Sequence, residues 1–184
     1  MKTFTIIGGV NGTGKSSLTG VLKSQISDLG IIIDADKIAQ EKTGGDNMKA
    51  GRLAVRRIRD CLNKGVCFTQ ETTLSGFTTA KKASAAGYYV RLFYVGLDSV
   101  EESLDRIKNR VAHGGHDIPA NVVKRRFSIR WDALSDALPY CDEAVFYDNY
   151  NGFVEVANYR NGELILKGDY RPKWILSLKK YLEV

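Results

Sequence analysis

The sequence predicts a three-layer α/β architecture: a mostly parallel, five-stranded sheet flanked by helices, with a helical lid and a C-terminal hairpin plus helix. Three observations predict it. Short apolar runs alternate with segments whose apolar residues recur every three or four positions, the pattern of strands joined by crossover helices. A glycine-rich loop ending in Gly14-Lys15-Ser16 separates the first strand from the first helix. Near the C-terminus, Asn161-Gly162 lies between two short strand patterns, a strong hairpin signal.

Taken in order, "TFTIIGG" reads as a buried strand, and Leu18, Val21, Leu22 and Ile26 follow at helical spacing until Gly30 stops the helix. "IIIDAD" is a second strand, followed by a helical region to about Asn63 with Leu53, Ile58 and Leu62 as apolar contacts. "VCFTQET" and "YYVRLFYVGLD" are the third and fourth strands. Val100, Leu104, Ile107 and Val111 then mark one helix face. After the break "HGGHD", Pro119 suits a helix start, and Val123, Phe127, Trp131 and Leu134 supply the next apolar face. "EAVFYDN" is a fifth core strand, and "FVEVANYRNGELILKG" an edge hairpin. The tail "PKWILSLKKYLEV" places Trp174, Leu178, Tyr181 and Leu182 on one side of a core-packing helix. No repeat, low-complexity tract or linker interrupts this order, so one domain is expected over residues 1–184, with the lid at about 106–130.

With 184 residues, 43% hydrophobic and 26% charged, the composition is that of a globular chain with one well-buried core. No run approaches the ~20 apolar residues of a membrane span, and "FTIIGGV" is too short for a secretion leader. Cys61, Cys67 and Cys141 are odd in number and lack a CxxC spacing, which argues against a disulfide framework or a zinc site and for a reducing cytoplasm. The net charge of +6 points to an anionic partner, for which a nucleotide, a nucleotide sugar and nucleic acid all fit.

"GVNGTGKSS" carries the chemistry. Gly9, Gly14, Lys15 and Ser16 satisfy G-x-x-x-x-G-K-[ST], in the strand-loop-helix context the motif needs. Gly12 and Gly14 let the backbone wrap an anion so that N–H groups and the helix N-terminus face phosphate. Lys15 reaches the β- and γ-phosphates, and the Ser16 hydroxyl ligates magnesium. The stretch from Gly9 through Asn11, Gly12, Thr13, Gly14, Lys15 and Ser16 to Ser17 is the expected nucleotide-binding set, and the fold expected around it is that of the P-loop NTPases.

Other segments narrow the class. A GTPase needs N-K-x-D, but Asn63-Lys64 is followed by Gly65-Val66. A transporter ATPase needs an LSGGQ-like signature, of which "LSGF" at 74–77 matches three letters. A small-molecule kinase needs a carboxylate near the acceptor hydroxyl, a metal at the phosphates and cations that close over the transferring group. Asp34 and Asp36 end the second strand, where open α/β sheets bind ligands. Asp36 is placed to face the acceptor hydroxyl and Asp34 to hold a water of the magnesium shell; the plainer alternative makes Asp36 a helix cap and Asp34 a satisfied strand end. Arg106 and Arg110 on one helix, and Lys124, Arg125, Arg126 and Arg130 on the next, flank "HGGHDIP" as a hinged, cationic lid. His113 and His116 fit turn or phosphate contacts better than a metal pair.

The motifs "GVNGTGKSS", "DADKIA", "ETTLSG" and "RIKNRVAHGGHDIPANVVKRRF", with "YDN" at 147–149, jointly resemble the zeta-toxin-like P-loop kinases over roughly residues 5 to 149. The resemblance implies magnesium-dependent transfer of the ATP γ-phosphoryl group to a small-molecule hydroxyl, which in the toxins belongs to UDP-N-acetylglucosamine, and by analogy an antitoxin partner. It makes Asp36 the catalytic carboxylate, Lys15 and Ser16 the phosphate and magnesium contacts, and Glu71, Thr72 and Thr73 the acceptor-binding strand end. Arg110, Arg125 and Arg126 become lid arginines, without choosing which of the adjacent pair touches phosphate. The segment after residue 149 matches nothing assignable. Two alternatives stand beside this reading: a kinase of a nucleoside, an antibiotic or another sugar, or a nucleotide-regulated module whose basic helices contact nucleic acid. The absence of an aromatic-interleaved basic stripe argues against the latter.

Overall fold

A computed structural model describes residues 1–74, 77–115 and 117–183. Its strands are β1 (Thr3–Gly8), β2 (Ile31–Asp34), β3 (Phe68–Thr72), β4 (Tyr89–Gly96), β5 (Glu143–Asp148), β6 (Val154–Arg160) and β7 (Glu163–Leu166). The helices are α1 (Lys15–Gln25), α2 (Ala35–Lys42), α3 (Asn47–Lys64), α4 (Thr78–Ala85), α5 (Val100–Ala112), α6 (Ala120–Ser128), α7 (Arg130–Ala137) and α8 (Lys173–Leu182).

Among the described residues these strands form one sheet in the order β2-β3-β1-β4-β5-β6-β7. The first five are parallel, as expected, and the hairpin extends the same sheet antiparallel to β5. Its turn has Asn161 at φ 53 and Gly162 at φ 86, the doubly left-handed geometry for which Asn-Gly is suited.

Alternation along the strands produces the layers. Phe4 and Ile6 of β1, with Leu92 and Tyr94 of β4, face a large core that also takes in Ala54 and Ile58 of α3, Leu134 of α7 and Trp174 of α8. Ile7, Phe93 and Val95 point the other way, onto Leu18 and Leu22 of α1. Trp174 is 1% exposed and lies flat against Gly96, where an added Cβ would come within 2.4 Å of the indole. Truncating a buried indole costs about 3–5 kcal/mol, so α8 is a full member of the core. A third, smaller cluster of Ile107, Ile118 and Val123 pins α5 to α6.

Two expectations need correction, and one helix was not expected. The helix expected after Pro119 breaks at Ile129 into α6 and α7, so Phe127 and Trp131 do not share one continuous helix. Val21 and Val111 are 44% and 38% exposed, outside the apolar faces to which spacing assigns them. The helix α4 has no counterpart in the sequence reading. No described helix is long and apolar enough to cross a membrane.

Candidate active site

The order of the sheet puts β3 and β4 on either side of β1, so the loop after β1 opens at the point where the strand order reverses, where ligands of such sheets bind. Gly12 (φ 80) and Gly14 (φ 98) are left-handed, and a Cβ on either would press within 2.7 Å of the Ser103 carbonyl oxygen or 2.4 Å of Asn149 Nδ2. Gly14 stands before α1 with no side-chain cap, which leaves the first amides of α1 directed into the loop. The Thr13 hydroxyl and Lys15 Nζ donate to the Val10 carbonyl at 3.1 and 3.0 Å. Burial pulls the Lys15 ammonium down to about pKa 8; the charges of Glu71, Asp36 and Asp34 oppose that shift, and Arg126 adds to it.

The carboxylates occupy the ends of β2 and β3, paired in register at Asp34 and Glu71. Asp34 Oδ1 accepts from the amides of Asp36 (2.9 Å) and Lys37 (3.3 Å) and so caps α2. Of the two aspartates it is therefore Asp34, not Asp36, that caps, and Asp36 stands exposed in the first turn of α2. Burial, with the charges of Glu71 and Asp36, raises the Asp34 pKa against its backbone hydrogen bonds. Glu71, expected at the acceptor, lines the cleft. Its Oε2 accepts from the Ser16 hydroxyl (2.9 Å) and its Oε1 from Thr19 (2.6 Å), so the carboxylate belongs to the phosphate-loop side. Thr72 turns its hydroxyl to the Leu74 amide (3.0 Å), and Thr73 lines the cleft.

The lid arginines separate. Arg126 donates to Asn11 Oδ1 at 2.9 Å, directly onto the loop. Arg125, expected at the nucleotide, is exposed and does not line the cleft. Arg110 lines the cleft. Arg106 also reaches it, paired with Glu102 (2.9 Å) and donating to the carbonyls of Asn149 and Tyr150. Arg130 lies over the Phe127 and Trp131 rings, with its guanidinium carbon 3.8 and 4.2 Å from their centroids, as a packing residue. His113 Nδ1 is 2.8 Å from the Asn109 carbonyl, and His116 lies outside the described residues.

Two residues of the site have no role assigned to them by the sequence. Thr19, one turn along α1 from Lys15, holds Glu71. Asn149 donates its side-chain N–H to the Thr13 carbonyl (2.8 Å) and clamps the loop. Its neighbour Asp148 is buried and accepts from Trp174 Nε1 (2.7 Å), the Tyr150 amide (2.9 Å) and the Tyr170 hydroxyl (3.1 Å), tying α8 to the same strand end. The motif "YDN" was the available signal. Together these groups surround a cleft of about 760 Å³ that holds Lys15, Ser16, Asp34, Asp36, Glu71 and Arg126. Its amides and cations can receive a polyphosphate, while an exposed carboxylate stands on the opposite side.

No family model matches the chain. An uncharacterized protein of Haemophilus influenzae is 36% identical over 126 residues, which cover 65% of this chain and 88% of that protein. Among solved structures, one from the PezAT chromosomal toxin–antitoxin system of Streptococcus pneumoniae superposes with a TM-score of 0.64 at 16% identity, over 100% of this chain and 86% of that one. The complex of AvrRxo1-ORF1 with AvrRxo1-ORF2 and sulphate ions gives 0.68 at 17% identity, over 97% of this chain and 64% of its own. The chain belongs to one family with the Haemophilus protein, and it shares its fold with the PezAT and AvrRxo1 structures.

Proposed function

We propose that the protein transfers the γ-phosphoryl group of ATP to a hydroxyl of a small molecule. The observation that carries this is the placement of the exposed Asp36 carboxylate in the same cleft as Lys15, Arg110 and Arg126. In this reading the loop amides and Lys15 hold the phosphates, and Asp36 orients the acceptor hydroxyl and takes its proton as the acceptor oxygen bonds to phosphorus. The bond from phosphorus to the β,γ-bridging oxygen breaks and ADP leaves, while Lys15 and the lid arginines offset the charge on the transferring group.

The residues also fit a magnesium ion: the Ser16 hydroxyl, with the Glu71 and Asp34 carboxylates behind it, is a set of hard oxygen donors at the phosphate end of the cleft. Bound there, the ion would add positive charge at the β- and γ-phosphate oxygens. The resemblance puts UDP-N-acetylglucosamine first among acceptors, and the similarity to a toxin–antitoxin structure makes a protein antitoxin a reasonable partner to seek.

The test is ADP release from ATP and magnesium across a panel of hydroxylated acceptors, for the native chain and Asp36→Asn. We expect acceptor-stimulated release that falls at least about 100-fold in the variant while ATP binding is kept. Slow release that responds to neither acceptor nor substitution would overturn the reading.

A further inference from the structure

The phosphate loop is bracketed from two sides. On one, the Ser103 carbonyl oxygen of α5 lies so close to Gly12 that an added Cβ would come within 2.7 Å of it. On the other, Asn149 donates to the Thr13 carbonyl at 2.8 Å and leaves no room for a Cβ on Gly14. Arg106, one turn along α5 from Ser103, joins the two brackets: its Nη2 donates to the carbonyl of Asn149 and, at 3.3 Å, to that of Tyr150. The same nitrogen is 2.9 Å from Glu102 Oε1, one turn back on α5. The segment held in this way is fixed just upstream by the buried Asp148, which accepts from Trp174 and Tyr170.

Arg106 and Arg126 both line the cleft, but their partners differ in charge. Arg126 is held by the amide oxygen of Asn11, a neutral acceptor that leaves the guanidinium charge for a phosphate. Arg106 is held by a carboxylate, and the two side chains of that pair are largely shielded, at 28% and 20% exposed. Burial raises the Glu102 pKa; Arg106 opposes that shift, and the charges of Asp148 and Asp98 add to it. Glu102, Asp98 and Asp148 make the surroundings of the pair negative, the wrong sign for a triphosphate.

From this we infer that Arg106 is a positioning residue and not a phosphate ligand: held by Glu102, it ties α5 to the backbone of Asn149 and Tyr150 and so keeps Asn149 on the phosphate loop. The inference rests on the nucleotide site of the proposed kinase and gives a different task to one residue that the sequence places there. The two roles give Glu102→Gln opposite signs. If Arg106 met phosphate, Glu102 would compete for it and repel the nucleotide, so the substitution would tighten ATP binding. With Arg106 as a strut, the same isosteric change slackens the loop and weakens ATP binding.

Calorimetric titration of ATP and of ADP, each with magnesium, into the full chain decides between them. Glu102→Gln should weaken ATP binding about threefold and Arg106→Gln about tenfold, with equal losses for ADP, because the loop and not a γ-phosphate contact is what slackens. Arg106→Gln combined with Asn149→Ala should bind ATP within about threefold of the weaker single variant, since both cut the same series of contacts. The inference is overturned if Glu102→Gln binds ATP as tightly as the native chain or more tightly, if the Arg106 and Asn149 effects multiply, or if ATP loses about tenfold more than ADP. A lowered Tm with ATP affinity unchanged would make the pair a brace for the fold alone and overturn it as well. Where Arg106→Gln fails to fold, the isosteric Glu102→Gln still gives the deciding sign. These titrations need neither an acceptor nor turnover, so the kinase reading is judged separately, on ADP release.

Discussion

On the phosphate-loop wall of the cleft, side chains are tied to residues of other elements, whereas on the α2–α3 wall they are exposed, and Lys37 pairs with Glu41 one turn along the same helix. Asn11 holds Arg126, Ser16 holds Glu71, Lys15 holds the Val10 carbonyl, and Asn149 holds that of Thr13. These bonds join the loop and α1 to β3, α6 and the segment after β5, so the loop's shape is set from several directions at once. Opposite, Asp36, Gln40 and Glu41 are exposed and Val55 faces solvent. One wall is fixed by backbone geometry and the other by the identity of its side chains. Substitutions on the first should therefore act on nucleotide affinity, and those on the second on acceptor use.

The sharpest way to break this distinction is Gly14→Ala. The added methyl would meet Asn149 Nδ2 at 2.4 Å on a backbone with φ 98, so the loop must move. We expect ATP affinity to fall at least about 100-fold by calorimetry, with the circular dichroism of the fold retained. An unchanged affinity would mean that the loop is less constrained than its hydrogen bonds imply.

A milder change sharpens the comparison. Asn149→Ala removes the donor to the Thr13 carbonyl, and leaving a backbone acceptor unpaired costs about 1–3 kcal/mol, so ATP should bind roughly tenfold more weakly. Gln40→Ala, on the open wall, should leave ATP affinity within about twofold and change only the KM for the acceptor. If both variants act on ATP alike, the walls are not separable.

The same contrast explains what could be read from the sequence. The phosphate loop was legible because its geometry is local: glycines at fixed spacing, then a lysine and a serine on a helix start. The parallel strands were legible as apolar runs, and the hairpin as Asn161-Gly162. What the sequence leaves open depends on contacts between residues distant in the chain. Glu71 reads as an acceptor ligand until the sheet order brings β3 beside β1 and its carboxylate to Ser16, 55 positions away. Arg125 and Arg126 are indistinguishable by spacing, and the orientation of α6, packed through Val123, turns Arg126 inward. The helix α4 went unread because its buried residues, Ala80 and Ala83, are too small to make an apolar periodicity. The break at Ile129 has neither Gly nor Pro to announce it.

A pH dependence belongs to the nucleotide wall itself. Lys15 titrates near 8 in the folded chain against 10.5 for an ordinary lysine, chiefly because the cleft desolvates it. Below pH 8 both folded and unfolded chains carry the proton, and the cost of burying the charge is fully present. Between pH 8 and 10.5 the unfolded chain holds a proton that the folded one has released, so the folded state gains stability as pH rises through that window. Tyrosine and cysteine titrations are common to the native chain and Lys15→Met, and the difference between their melting curves isolates the lysine: the native Tm should climb relative to the variant above pH 8. Phosphate restores the ammonium, so ATP affinity of the native chain should fall about tenfold between pH 7 and 9 while that of Lys15→Met stays flat. Parallel curves for the two proteins would show that Lys15 keeps its charge, and that the phosphate-loop wall is as open to water as the wall that faces it.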